Sequence, residues 1–165
     1  MKNLLKKSSA IVVAIISVFS LMMFTACDSK DKGDDSLAKI NTFYETVVSS
    51  QECLDEVADD IYTYWYNAIY KNSYSGSIDL AIYYALAANQ TNLATIEENE
   101  PIIQALYKEI RNSKFSAEIK AVMNAYSDYY ELVVNVSGSF NSYSASKETL
   151  KKELASALKD LVLEI

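Results

Sequence analysis

The chain has 165 residues, half of them hydrophobic and 22% charged, which is enough apolar material for one domain with a core. Three Gly and one Pro are too few for a turn-rich all-β fold, and 15 basic residues against 22 acidic ones lack the positive footprint of a nucleic-acid binder. Histidine is absent, which removes the commonest general base and the commonest transition-metal ligand, so the expectation is a chain with no metal, no cofactor and no enzymatic activity.

Lys2, Lys6 and Lys7 precede an apolar run from Ala10 to Phe24, interrupted only by Ser17 and Ser20, and the run closes on Thr25-Ala26-Cys27. A positive start, a short apolar centre and small residues at the boundary are the three parts of an export signal. The run falls short of the ~20 apolar residues that a spanning helix needs. The junction Phe24-Thr25-Ala26-Cys27 resembles the lipobox of bacterial lipoprotein signal peptides, with phenylalanine where leucine is usual three positions before the cysteine. That resemblance covers the first 27 residues. It implies that residues 1–26 are cleaved, that the Cys27 sulfur carries a diacylglyceryl group, and that the mature chain is lipid-anchored on the extracytoplasmic face of a cell membrane. An uncleaved anchor helix, or an ordinary cleavage site beside a chance cysteine, are the alternatives. With Cys27 lipidated, Cys53 is left without a disulfide partner and reads as a small, partly buried hydrophobe.

Residues 27–35 read as the lipidated cysteine and a polar tether, "DSKDKGDD". They do not match a calcium loop, because Lys30 stands where an EF-hand alternates a carboxylate. Residues 36–165 form the domain. Ile40, Val47, Leu54, Ile61 and Ala68 recur every seven residues, with Phe43, Val57 and Trp65 in the alternate seam, which predicts a helix over 36–71. "NSYSGS" is a turn. Ile82, Ile96, Ile103 and Ile110 then repeat, with Leu86, Leu93 and Tyr107 alongside. Pro101 falls inside this register, so the second helix is expected to be kinked or broken near it, with its halves nearly in line. A third helix starts near Ser116 and carries Ile119, Val122, Tyr126, Tyr129 and Val133, with Phe115 and Val136 at its edges. "SGSFNSYS" is a second turn, and Leu150, Leu154, Leu158, Leu161 and Ile165 give a fourth helix. Short turns between long helices make neighbours antiparallel, so the expected fold is all-α, an up-down-up-down four-helix bundle.

"IYTYWYNAIY", residues 61–70, is the densest aromatic stretch. On a helix, Ile61, Trp65, Ala68 and Ile69 form a core stripe, and Tyr62, Tyr66 and Tyr70 form a second stripe beside it. Tyr74 in the turn and Tyr83 and Tyr84 in the next helix should lie nearby, making one end of the bundle tyrosine-rich. These rings can be boundary packing with wet hydroxyls, a protein-contact surface, or a small-ligand slot. "YWYNAIY" together with "IDLAIYYAL" is similar to small Gram-positive lipoproteins to which no activity is assigned.

Asp59-Asp60 and Glu97-Glu98 are adjacent carboxylates that read as a solvated face. Ser50 and Gln51 interrupt the first apolar seam. Folding the chain back near residue 75 sets position i against about 150 − i. That puts Ser50 and Gln51 opposite "EENEP", residues 97–101, and makes Ser50, Gln51, Glu97 and Glu98, with Tyr126 or Tyr130 from the third helix, a candidate polar waist. The function expected from the sequence is a non-enzymatic extracytoplasmic interaction module that takes a protein partner through its Tyr/Trp-rich end. The alternative is a small-molecule or peptide binder that uses a groove between helices.

Overall fold

The computed structural model describes residues 32–165; the export-signal segment, Cys27 and the tether as far as residue 31 lie outside the described residues. The described chain is an all-helical bundle of five α-helices: α1 (Lys32–Lys71), α2 (Ile78–Ala88), α3 (Gln90–Ile110), α4 (Ser116–Val134) and α5 (Phe140–Glu164), with a short 3-10 turn at Ser73–Gly76. No strand occurs among the described residues. The helix α1 takes in Lys32–Asp35, four residues that the sequence assigned to the tether. Its 40 residues make a rod about 60 Å long.

The seven-residue repeat of α1 becomes its buried face: Ile40, Phe43, Val47, Leu54, Val57 and Ile61 are fully buried, and Trp65 and Ala68 nearly so. Ile69 departs from the expected stripe and is 43% exposed, because α5 begins only at Phe140 and leaves the last turn of α1 uncovered on that side. The turn after α1 is left-handed at Asn72, Tyr74, Ser75 and Gly76. Ser77 then caps α2 by accepting from the backbone N–H of Leu80.

The expected break at Pro101 is absent, and the interruption comes twelve residues earlier, at Asn89. Pro101 lies inside α3 on an exposed face, where water can serve the carbonyl that the proline leaves without a donor. At Asn89 the side-chain amide donates to the Ala85 carbonyl at 2.9 Å and the backbone N–H donates to Leu86, so this residue competes with the helical ladder and ends α2. The break also changes which face is buried. In α2 the small residues Ala81 and Ala85 are buried and Ile82 only half-buried, whereas in α3 Ile96, Ile103 and Ile110 are buried as expected.

The second turn is shorter than the sequence suggested. Phe140 to Ser144 are already helical, because Ser139 and Ser142 form a reciprocal capping box that starts α5. Gly138 precedes it with φ +86°, and a Cβ there would come within 2.9 Å of the Ser142 hydroxyl. Leu154, Leu158 and Leu161 of α5 are buried, while Ile165 is 40% exposed.

Cross-helix bonds give the direction of packing. Lys39 pairs with Glu109, Asn99 donates to Ser50, Asn92 to Glu56 and Asn89 to Asp60, so that residue numbers in each pair add to 148 or 149. The chain thus runs back along α1 in the register expected. Lys147 on Asp59 and Lys151 on Asp55 set α5 antiparallel to α1 as well.

Candidate functional site

The expected tyrosine-rich end exists, but α1 divides it into two clusters. Tyr62 and Tyr64 are two residues apart, which turns them about 200° from one another around the helix. On one side Tyr62, Tyr66 and Tyr70 surround Phe140, the first residue of α5, with Tyr62 stacked on it at 5.1 Å between centroids. Trp65 reaches the same phenylalanine and Tyr143 from the core side. On the other side Tyr64 stacks on Tyr74 at 5.5 Å, Tyr74 meets Tyr84 at a tilt, and Tyr84 meets Tyr83 edge to face.

Exposure separates packing from surface. Tyr62 and Tyr74 are half-buried, and Lys147 lies 4.9 Å over the Tyr62 ring. Tyr66, Tyr70, Tyr83 and Tyr84 are exposed, with Tyr70 and Tyr83 most so at 61% and 64%. Ile69, Ile78 and Leu80 add exposed apolar area at the same end. Trp65 is a core residue, as its stripe predicts, and its indole N–H is buried without an acceptor. Phe140 and Tyr64 were missed from sequence. Phe140 fell inside a supposed turn, and the Ser139–Ser142 capping pair is the signal that would have moved it into a helix.

The polar waist forms with different members. Ser50 is fully buried and accepts from Asn99 at 3.1 Å. Tyr126 is also fully buried. Glu100 and Ser50 are neighbours of its hydroxyl, yet neither completes a hydrogen bond, and one carboxylate oxygen of Glu100 is likewise unpartnered. Burial, then the Glu100 carboxylate, pushes the Tyr126 phenol far above its usual range, while Ser50 pulls the other way. Tyr130 lies beside Tyr126, its phenol raised by burial and by Glu100, Glu97 and Glu131. Glu97 and Glu98, expected in the waist, are exposed, and Asn99 and Glu100 stand in their place. A shift of one or two helical positions turns a side chain by 100–200°. Gln51 is not in the waist either. It lines the groove between α1 and α5, because it sits one position round from Ser50.

Asp59 is exposed and Asp60 half-buried, and each has a partner on another helix. Asp59 pairs with Lys147 of α5 and Asp60 accepts from Asn89 at 2.7 Å, so the two carboxylates reach different helices. One turn earlier Asp55 accepts from the buried Tyr129 hydroxyl at 2.8 Å and pairs with Lys151. Lys147 is 7% exposed; burial pulls its ammonium down, but Asp59 and Glu148 outweigh this and raise it. Cys53 is half-buried, and burial followed by Glu56 and Glu52 raises its thiol, which keeps it protonated.

Two open surface grooves accompany these features. One, of about 550 Å³, runs between α4 and α5 past Asp128, Glu131, Leu132, Asn135, Ser146 and Leu150. The other, of about 380 Å³, lies between α1 and α5 at Tyr44, Val48, Gln51, Leu158, Val162 and Leu163. Among the described residues no cluster of three or more Cys, Asp or Glu side chains is placed to hold a metal ion, and no helix is long and apolar enough to cross a membrane. No protein family, curated protein or solved structure matches this chain.

Proposed function

We propose that the chain is a lipid-anchored, non-enzymatic interaction module on the extracytoplasmic face of a bacterial cell membrane, and that it takes a protein partner through the tyrosines at the far end of its bundle. In this reading α2 and α3 act as one interrupted rod, so the domain is an up-down-up-down four-helix bundle. The support for that topology is direction: α1 runs against α3 and α5, and alongside α4, since Ser50 neighbours Tyr126 while Asp55 meets Tyr129.

The observation that carries the partner reading is the exposure of Tyr66, Tyr70, Tyr83 and Tyr84 with Ile78 and Leu80. Exposed apolar side chains gathered at one end of a small domain mark a contact surface, and tyrosine is a preferred anchor in one. This surface lies at the opposite end of a rod about 60 Å long from the point where the chain enters α1. A lipid at Cys27 would therefore leave it facing outward.

Crosslinking in intact cells followed by recovery of the chain tests both parts. Tyr83→Ser with Tyr84→Ser should abolish recovery of the crosslinked protein with the melting temperature nearly unchanged. Unchanged recovery with a lowered melting temperature would return these rings to packing. Mass spectrometry of the membrane-extracted chain should find a diacylglyceryl group on Cys27, and Cys27→Ser should leave unprocessed precursor. The 550 Å³ groove between α4 and α5 favours the second reading, a small-molecule or peptide binder, because its volume is that of an ordinary ligand site. Ligand-induced protection of Ser146 and Leu150 from hydrogen exchange would support it.

A further inference from the structure

The exposed large hydrophobic residues gather mainly at the two ends of the bundle. Seven lie at the tyrosine end, and a second group, Val162, Leu163 and Ile165, lies at the C-terminal tip of α5. Leu163, 71% exposed, is the most open large hydrophobic residue among the described residues. The tip lies in the half of the bundle where α1 begins, at the level of Tyr44 and Val48, with which Val162 and Leu163 share a groove. The corner between α3 and α4 reaches the same end, because Glu109 pairs with Lys39.

Charge is divided along the same axis. Take the Ser50–Asn99 bond as the dividing level and the helix register to carry it to α4 and α5. From Asp35 to Ile165 the half that includes the tyrosine end holds four basic against twelve acidic residues, and the other half six against seven. Residues 108–120 at the α3–α4 corner hold Lys108, Arg111, Lys114 and Lys120 against Glu109 and Glu118, a net positive segment in an acidic domain. Lys114 lies 4.6 Å over the Phe115 ring, a cation held against an aromatic at this corner.

We infer that this end of the bundle, with the Val162-Leu163-Ile165 tip and the Arg111–Lys114 corner, docks on an anionic lipid bilayer and holds the domain upright. The inference rests on the lipid-anchored reading above. Two features select a bilayer over a protein at this end. The acidic half is repelled by anionic headgroups while the corner is drawn to them, which aligns the rod along the membrane normal. The chain that precedes Lys32, which carries Cys27 in the lipid-anchored reading, also joins α1 at this end. Three exposed apolar side chains and a basic corner in the same half of the bundle are a shallow interfacial contact of the kind that orients an anchored domain without anchoring it.

The native Trp65, buried at the tyrosine end, provides the internal reference for a test on the full chain extracted from membranes. The chain is reconstituted in vesicles containing phosphatidylglycerol and lipids brominated on their acyl chains, then floated. Leu163→Trp should add emission that brominated lipid quenches at least twofold, while Trp65 in the unaltered chain should not be quenched. Arg111→Glu with Lys114→Glu in the Leu163→Trp background should halve that quenching or more, and raised salt should do the same. A chain that floats without quenching in Leu163→Trp overturns the docking and leaves the anchor standing. Equal quenching of Trp65 means a domain lying flat and overturns the upright arrangement. A chain that does not float overturns both the docking and the lipid anchor.

Discussion

Tyr129 donates its buried hydroxyl to Asp55 at 2.8 Å, whereas Tyr126, one turn away on the same helix and equally buried, has no partner for its own. The two phenols are a matched pair that differ in one hydrogen bond. Tyr129→Phe should cost about 1.5 kcal/mol, the lower value for a bond to a charged group, because Lys151 still serves Asp55. Tyr126→Phe should fall within about 0.5 kcal/mol of the parent or be more stable, since it removes an unsatisfied polar atom and keeps the ring. Urea unfolding of both variants decides it. Equal losses would mean that an internal water partners Tyr126.

Trp65 and Ile69 belong to one expected stripe but have different fates. Trp65 is 3% exposed against Phe140 and Tyr143, and Trp65→Ala should destabilise by about 3–5 kcal/mol. Ile69→Ser should change stability by less than about 0.5 kcal/mol, as surface changes do. Thermal unfolding that ranked the two the other way would mean that the phase of the last turns of α1 is wrong.

Periodicity made α1 legible because one long helix with a uniform partner keeps a single face inward from Ile40 to Ala68. It also made the return register legible, which placed Ser50 at the level of residues 97–101, where Asn99 meets it. What it did not resolve were features decided by a single rotation of about 100°. Ser50 enters the waist and Gln51 does not; Asn99 enters it and Glu98 does not. Pro101 carried the stronger breaking signal, yet the break is at Asn89, because an exposed proline is tolerated where water replaces its missing donor, while a buried asparagine paired with Asp60 diverts the backbone. The division of the tyrosines by α1 follows from Tyr62 and Tyr64 alone, but which ring meets which depends on where α5 begins, and that was hidden by a serine-rich capping box that reads as a turn.

The three fully buried or nearly buried tyrosines, Tyr126, Tyr129 and Tyr143, make the fold sensitive to alkali. Burial, helped by Glu100, Asp55 and Asp59 respectively, raises each phenol well above its ordinary value. A group raised in the folded state contributes stability that is intact below the unfolded value, about pH 10, and is lost as pH rises through the folded one. Above about pH 10 each should therefore remove about 1.4 kcal/mol of stability per pH unit. Phenolate absorbance should show a phase that coincides with loss of helical circular dichroism. Tyr129→Phe combined with Tyr143→Phe should flatten the alkaline slope. Ionisation of all the tyrosines near pH 10 with the helices intact would contradict the buried placement.

Lys147 and Asp59 bind α5 to α1, and their environments are unequal. The lysine side chain is 8% exposed, while the aspartate side chain is 55% exposed. Losing either partner should therefore have different consequences. Lys147→Met keeps the buried stem, gives up the ammonium over the Tyr62 ring and leaves Asp59 facing water, so it should cost about 1 kcal/mol. Asp59→Ala leaves an enclosed ammonium with only Glu148 to answer it, and should cost about 1–3 kcal/mol, the range for a stranded buried donor. The difference should vanish in the Lys147→Met background, where Asp59→Ala has no cation to strand, so a double-mutant cycle isolates the pair. If Lys147→Met proved the costlier change, the pair itself would be stabilising α5 on α1 beyond the packing of the lysine stem, and the unequal exposure would not govern it.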